Sequence, residues 1–123
     1  TNIGFQSYFV QKDEVHEILK KAFSLKNIHS EYGMTELLSQ AYSYGKNIFN
    51  TPDWMRILIR DVNDPFSMIK NKTGGVNIID LANIHSCPFI ATQDLGKSYN
   101  NNSFSILGRY SVSDTRGCNL LIQ

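Results

Sequence analysis

Apolar and polar residues follow two periods along this chain. From 13 to 23 the apolar positions are Val15, Ile18, Leu19, Ala22 and Phe23, the spacing of one helical stripe. Asp13, Glu14 and Glu17 crowd its first turns and Lys20 and Lys21 its last, a polarity that suits the helix dipole. The pattern predicts a helix over 13–23. Residues 36–44 put Leu37, Leu38, Ala41 and Tyr42 on one side and predict a second, short helix. Beyond these the apolar runs shorten to strand length. Residues 27–30 read as a short buried strand. Residues 54–61 alternate in part, with Arg56, Leu58 and Arg60 on one face. Strands are also expected over 76–81, 89–92, 104–110 and 118–122, while 5–10 is β-prone without clean alternation. Thr51-Pro52-Asp53, Asn63-Asp64-Pro65 and Lys72-Thr73-Gly74-Gly75 are breaks, and the Asn-rich 97–103 reads as a hairpin loop. This order predicts an α/β class of α+β character: a βα element followed by a small, mainly antiparallel sheet.

Composition narrows the function classes. The 123 residues form one segment, with no repeat and no linker. Lys and Arg number 12 against 11 Asp and Glu, a net charge of +1, which offers no footprint for nucleic acid. The apolar runs are too short to span a bilayer, and no signal peptide is visible at Thr1–Phe5. Cytoplasmic location is the expectation, with Cys87 and Cys118 as reduced thiols and a single disulfide between them as the alternative. No P-loop, GxGxxG, CxxC, HExxH or GxSxG motif occurs. His16 falls at the polar boundary of the helix and is expected to face solvent. His29, His85, Cys87 and Cys118 follow no zinc spacing. In His85-Ser86-Cys87-Pro88 the Pro points to local structure rather than to Cys/His catalysis.

Four stretches carry candidate chemistry. Ser30-Glu31-Tyr32-Gly33-Met34-Thr35-Glu36 gathers an aromatic ring, a glycine, a hydroxyl and acids behind a strand, where ligands bind in α/β folds. A ring can stack on a flat ligand, Gly lets backbone approach it, Thr can bond phosphate oxygens, and Glu can hold Mg²⁺. Thr92-Gln93-Asp94-Leu95 places an acid at a strand end, suited to ribose hydroxyls. Arg109, after Gly108, suits phosphate or ribose. Cys118, beside Arg116, has a cation that favours thiolate. Each also fits a plain structural role: a turn around a buried Tyr, a turn Asp, a surface ion pair, a small apolar residue in a terminal strand.

Taken in order, these stretches resemble a known family. Tyr32-Gly33-Met34-Thr35-Glu36 resembles the YGxTE motif of the adenylate-forming superfamily, which includes acyl-CoA synthetases. Gly74-Gly75-Val76-Asn77-Ile78-Ile79-Asp80-Leu81 is similar to the glycine-led strand that follows it there, Thr92-Gln93-Asp94-Leu95 to the later TGDL motif, and Gly108-Arg109 to the GR pair that ends the large domain. The strings around 29–43 and 116–121 resemble the narrower LuxE-type acyl-protein synthetases, the fatty-acid-activating branch of bacterial fatty-acid reductase systems. The resemblance implies that a fatty acid and ATP give an acyl-adenylate and pyrophosphate, and that a cysteine takes the acyl group as a thioester for a partner reductase. It implies Tyr32 and Gly33 framing adenine, Thr35 on the adenylate phosphate, Glu36 holding Mg²⁺, Asp94 on the ribose hydroxyls, Arg109 on ribose or phosphate, and Cys118 as acyl acceptor. Gln93 departs from the usual Gly. The Ser/Thr/Gly-rich phosphate-binding loop that precedes YGxTE in the family is absent. The chain is therefore expected to be the C-terminal part of a large adenylate-forming domain, with poor or no fatty-acid activation alone. The alternatives are a non-catalytic nucleotide- or protein-binding module of the same descent, and a relative using another acyl group or acceptor.

Overall fold

The computed structural model describes residues 12–99 and 102–110. The predicted helix is present as α1, Lys12–Phe23, with Asp13 and Glu14 in its first turn and Lys20 and Lys21 in its last. It ends in a Schellman-type cap: Ser24 takes φ +54° and the Leu25 N–H donates to the Lys20 carbonyl at 3.0 Å. Eight strands follow among the described residues: β1 Ser30–Tyr32, β2 Ala41–Ser43, β3 Phe49–Asn50, β4 Met55–Arg60, β5 Met68–Ile69, β6 Gly74–Asp80, β7 Phe89–Ser98 and β8 Ser103–Arg109. They form one sheet in the order β1-β2-β3-β8-β7-β6-β4-β5, antiparallel at every pairing. The class is mixed α and β with the sheet dominant.

Three expectations need correction. Residues 36–44 are not a helix. They form a turn and then β2, whose Ala41 and Ser43 face inward while Tyr42 faces out, a period of two that the small residues allow. A single Leu37 N–H to Met34 carbonyl bond of 3.1 Å is all that remains of a helical turn. The strand expected over 27–30 begins only at Ser30. The strand expected over 89–92 runs on to Ser98, which shortens the expected 97–103 loop. The β segment expected before the helix and the last strand, 118–122, lie outside the described residues.

The core gathers Leu37, Ala41 and Phe49 with Met55, Ile57, Ile59, Val76, Ile78 and Phe104, so strands from both halves of the sheet share one apolar cluster. β4 shows why: Met55, Ile57 and Ile59 alternate inward, opposite Asp80, Ile78 and Val76 of β6. The α1 stripe is not part of it, since Val15, Ile18 and Phe23 are exposed.

Candidate functional site

Two departures from regular pairing shape the region where the sequence motifs meet. In the β6–β7 ladder Gly75 pairs with Leu95 and Asn77 with Ala91. Three residues of β7, Thr92 to Asp94, therefore stand opposite the single Val76, a bulge of the kind that re-aims a side chain. In the β7–β8 ladder Leu95 pairs with Gly108 and Gly96 with Ile106, leaving Leu107 as an extra residue on β8. Gly108, at φ +154°, takes a backbone conformation that a side chain would disfavour. Asp94 closes the first irregularity, Arg109 follows the second, and the two pair across the strands. The expectation that Asp94 ends a strand is thus corrected: it lies within β7, and the bulge does the aiming that a strand end would have done.

The aim converges on one carboxylate. The Tyr32 hydroxyl donates to Asp94 Oδ2 at 2.7 Å, and Arg109 Nε lies 3.4 Å from Asp94 Oδ1. The Asp94 side chain is 15% exposed and that of Arg109 73%. The Tyr32 ring is wedged between Phe49 and Phe104, with centroids at 5.9 and 5.3 Å, the second edge-on. Burial, then the hydrogen bond to Asp94 and its charge, push the Tyr32 phenol well above the ordinary tyrosine range. It therefore stays a donor at any physiological pH. A groove of about 450 Å³ opens beside it, lined by Tyr32, Phe49 and Gly108 and by the acids Asp13 and Glu31. Asp94, with two oxygens and further lone pairs, can accept from ligand hydroxyls. Arg109 is the cation at this corner, and the acids suit hydroxyls better than a phosphate.

The other expected site residues sit apart from this cluster. Gly33 follows β1, and a Cβ there would come within 3.1 Å of Gln40 Cγ. Thr35 and Glu36 form an exposed turn in which Thr35 Oγ1 donates to Glu36 Oε2 at 3.1 Å. No hydrogen bond or ion pair joins either to Asp94 or Arg109 among the described residues. Nor do three or more His, Cys, Asp or Glu gather into a metal-binding group among the described residues. A single exposed carboxylate at Glu36 fits Mg²⁺ only in its common form, with one protein ligand and the remainder from phosphates and water. Cys118 lies outside the described residues, as does Arg116. His16, expected in solvent, is half-buried with its Nε2 3.1 Å from Ser30 Oγ, which ties α1 to β1. Cys87 is an exposed free thiol.

Sequence reading missed two side chains, one that holds the β7 bulge and one that holds the segment carrying Thr35 and Glu36. Arg60 is buried against the β7 bulge. Asp80 accepts from the Leu38 and Ser39 amides at 3.0 and 2.9 Å, from Ser39 Oγ at 2.7 Å and from the Ala82 amide at 3.1 Å. Beside it Asn83 Nδ2 donates to the Glu36 carbonyl at 2.8 Å. Together they fasten the segment that carries Thr35 and Glu36 to the end of β6. An acid closing a strand was the visible signal for Asp80. For Arg60 the alternation showed only a face shared with Arg56 and Leu58, which carries no signal of burial.

No protein-family model matches the chain, and no curated protein does. No described helix is long and apolar enough to cross a membrane.

Proposed function

We propose that this chain carries the ribose-binding corner of an ATP-dependent acyl-protein synthetase, with Cys118 as the acyl acceptor and a reductase as the partner that receives the acyl group. The observation that supports it is the meeting of Tyr32, Asp94 and Arg109, drawn from three motifs far apart in sequence. Asp94 accepts from the ribose hydroxyls. Tyr32 holds the carboxylate still from its buried side, and Arg109 neutralises it from the open side. Glu36 takes Mg²⁺ together with nucleotide phosphates. When bound, ATP supplies the activated phosphorus that makes the fatty-acid carboxyl a good acyl donor. The Cys118 thiolate then attacks the acyl carbon of the adenylate: a C–S bond forms, the C–O bond to AMP breaks, and AMP leaves with its electron pair.

A second reading, a nucleotide-binding module without turnover, has one observation in its favour. Two acids line the groove beside Tyr32. That lining favours a nucleoside over a triphosphate.

The test supplies the activated acyl group directly. The full chain and Cys118→Ser are incubated with a long-chain acyl-adenylate and weighed intact. One adduct on the wild type, released by neutral hydroxylamine and absent in Cys118→Ser, is the expected result. An unmodified wild type, or equal labelling of Cys87 in the variant, turns the balance to the binding module. ATP–pyrophosphate exchange by the chain alone is expected to be weak or absent.

A further inference from the structure

Arg60 closes β4 and is 8% exposed, yet among the described residues its hydrogen-bond partners are all neutral. Nη1 donates to the Val76 carbonyl at 3.1 Å and to Asn77 Oδ1 at 2.5 Å. Nη2 donates to the Thr92 carbonyl at 2.5 Å and to the Tyr110 phenol oxygen. Burying a guanidinium without a carboxylate is costly, and an apolar side chain of like volume commonly serves stability as well or better. The position of these acceptors explains the choice. Val76 and Thr92 are the residues facing each other where the bulge breaks the β6–β7 ladder. Their carbonyls take the Arg60 fork instead of regular ladder partners. Thr92 Oγ1 adds a bond of 2.9 Å to the same Val76 carbonyl, and the Asp94 amide donates back to Thr92 Oγ1 at 3.1 Å. The chain of bonds thus runs from Arg60 through Thr92 to the backbone of Asp94. Gly75 leaves the room for it: a Cβ there would stand 2.6 Å from Arg60 Cζ. Lysine, a point donor without the planar fork, cannot reach all four acceptors at once.

We propose that Arg60 is a positioning residue: it holds the β7 bulge in the shape that points the Asp94 carboxylate at Tyr32 and Arg109. The ligand side of this inference rests on the proposed ribose-binding role of Asp94. The aim of Asp94 itself can be read without any ligand.

The experiment uses the full chain, Arg60→Met, Arg60→Lys and Asp94→Ala, and two readouts. The first is the Cζ carbon resonance of Tyr32 in ¹³C-tyrosine-labelled protein, assigned with Tyr32→Phe, which reports the phenol–carboxylate bond. The second is the ratio of affinities for AMP and 2′,3′-dideoxy-AMP, which reports hydroxyl recognition and is insensitive to a uniform loss of binding. Both Arg60 variants are expected to move the Tyr32 resonance to its position in Asp94→Ala. They are also expected to collapse a wild-type preference of about tenfold for AMP, the worth of one or two hydrogen bonds, to near unity. If wild type shows no preference but the Tyr32 resonance still moves, the ribose reading fails and the positioning role stands. An unmoved Tyr32 resonance in a cooperatively folded Arg60 variant overturns the proposal, whatever nucleotides bind. Should neither Arg60 variant fold, Tyr110→Phe, which removes one acceptor of the fork, decides on the same resonance: a partial shift supports the proposal and none overturns it.

Discussion

Asp80 is a buried carboxylate kept ionised by its donors. Burial alone would push its pKa up, but the Ser39 hydroxyl and the Ser39, Leu38 and Ala82 amides outweigh burial and hold it below the ordinary carboxylate value. The folded pKa lies below the unfolded one, so the stability it contributes is present above about pH 4 and fades as pH falls through the folded value. Asp80→Asn keeps the shape but loses the charge and half the acceptor capacity. It is expected to cost about 2–4 kcal/mol at neutral pH and to flatten the acid limb of stability. Urea melts of both proteins from neutral pH down to about pH 3 read the two effects. Equal midpoints at neutral pH refute the assignment. At this scale legibility was uneven. Tyr32, Asp94 and Arg109 stood out because polar or aromatic residues in short motifs resembled a family pattern. Arg60 did not, because alternation along 54–61 groups it with the exposed Arg56 and Leu58, and only the bulge two strands away turns that face inward for it.

Elements were readable where a period runs long enough. α1 spans three turns of unbroken stripe, and β4 and β6 carry six and seven residues of strand pattern. The segment 36–44 failed because Leu37, Leu38, Ala41 and Tyr42 fit a helical face while Ala41, Tyr42 and Ser43 also fit a strand. Asp80, distant in sequence, took the Leu38 and Ser39 amides and decided it. The β7 bulge was hidden for the same reason: it exists only relative to the register of β6. Glycines were legible as turn signals at 74 and 75 but serve a strand. A Cβ on Gly74 would run into the Arg60 carbonyl and come within 2.8 Å of Ile59 Cγ2. Because the obstacle is backbone, no rotamer relieves it, and the β4–β6 pairing must shift. Gly74→Ala is expected to cost about 2–4 kcal/mol, although Ala is ordinarily no worse than Gly in an extended chain. Thermal unfolding of that variant checks it, and a melting temperature at or above wild type would mean the strands are not that close.

The whole molecule leaves its one described α-helix outside the core formed by the described residues. Among the described residues, the cluster around Phe104, Met55, Ile59 and Ile78 is built from the sheet and the turn before β2. The α1 stripe shows Ile18 at 55% and Phe23 at 67% exposure. Among the described residues α1 is instead tied to the sheet by His16, whose Nε2 lies 3.1 Å from Ser30 Oγ. An amphipathic helix in water gains little from propensity alone, so this arrangement makes a sharp statement about where folding energy resides. Phe104→Ala removes a fully buried ring and its contacts with Tyr32 and Phe49, and should cost about 3–5 kcal/mol. Ile18→Gln, on the stripe, should change stability by no more than about 0.5 kcal/mol. The pair is measured by urea denaturation at two protein concentrations tenfold apart. A small, concentration-independent effect at Ile18 agrees with an open helix face. A loss that approaches the Phe104 value at both concentrations would put the stripe inside the chain's own core. A loss that appears only at the higher concentration would mean a second copy covers it. Only the second result contradicts the placement of α1 outside the core; the third keeps it there and adds an intermolecular contact, since it alone depends on mass action.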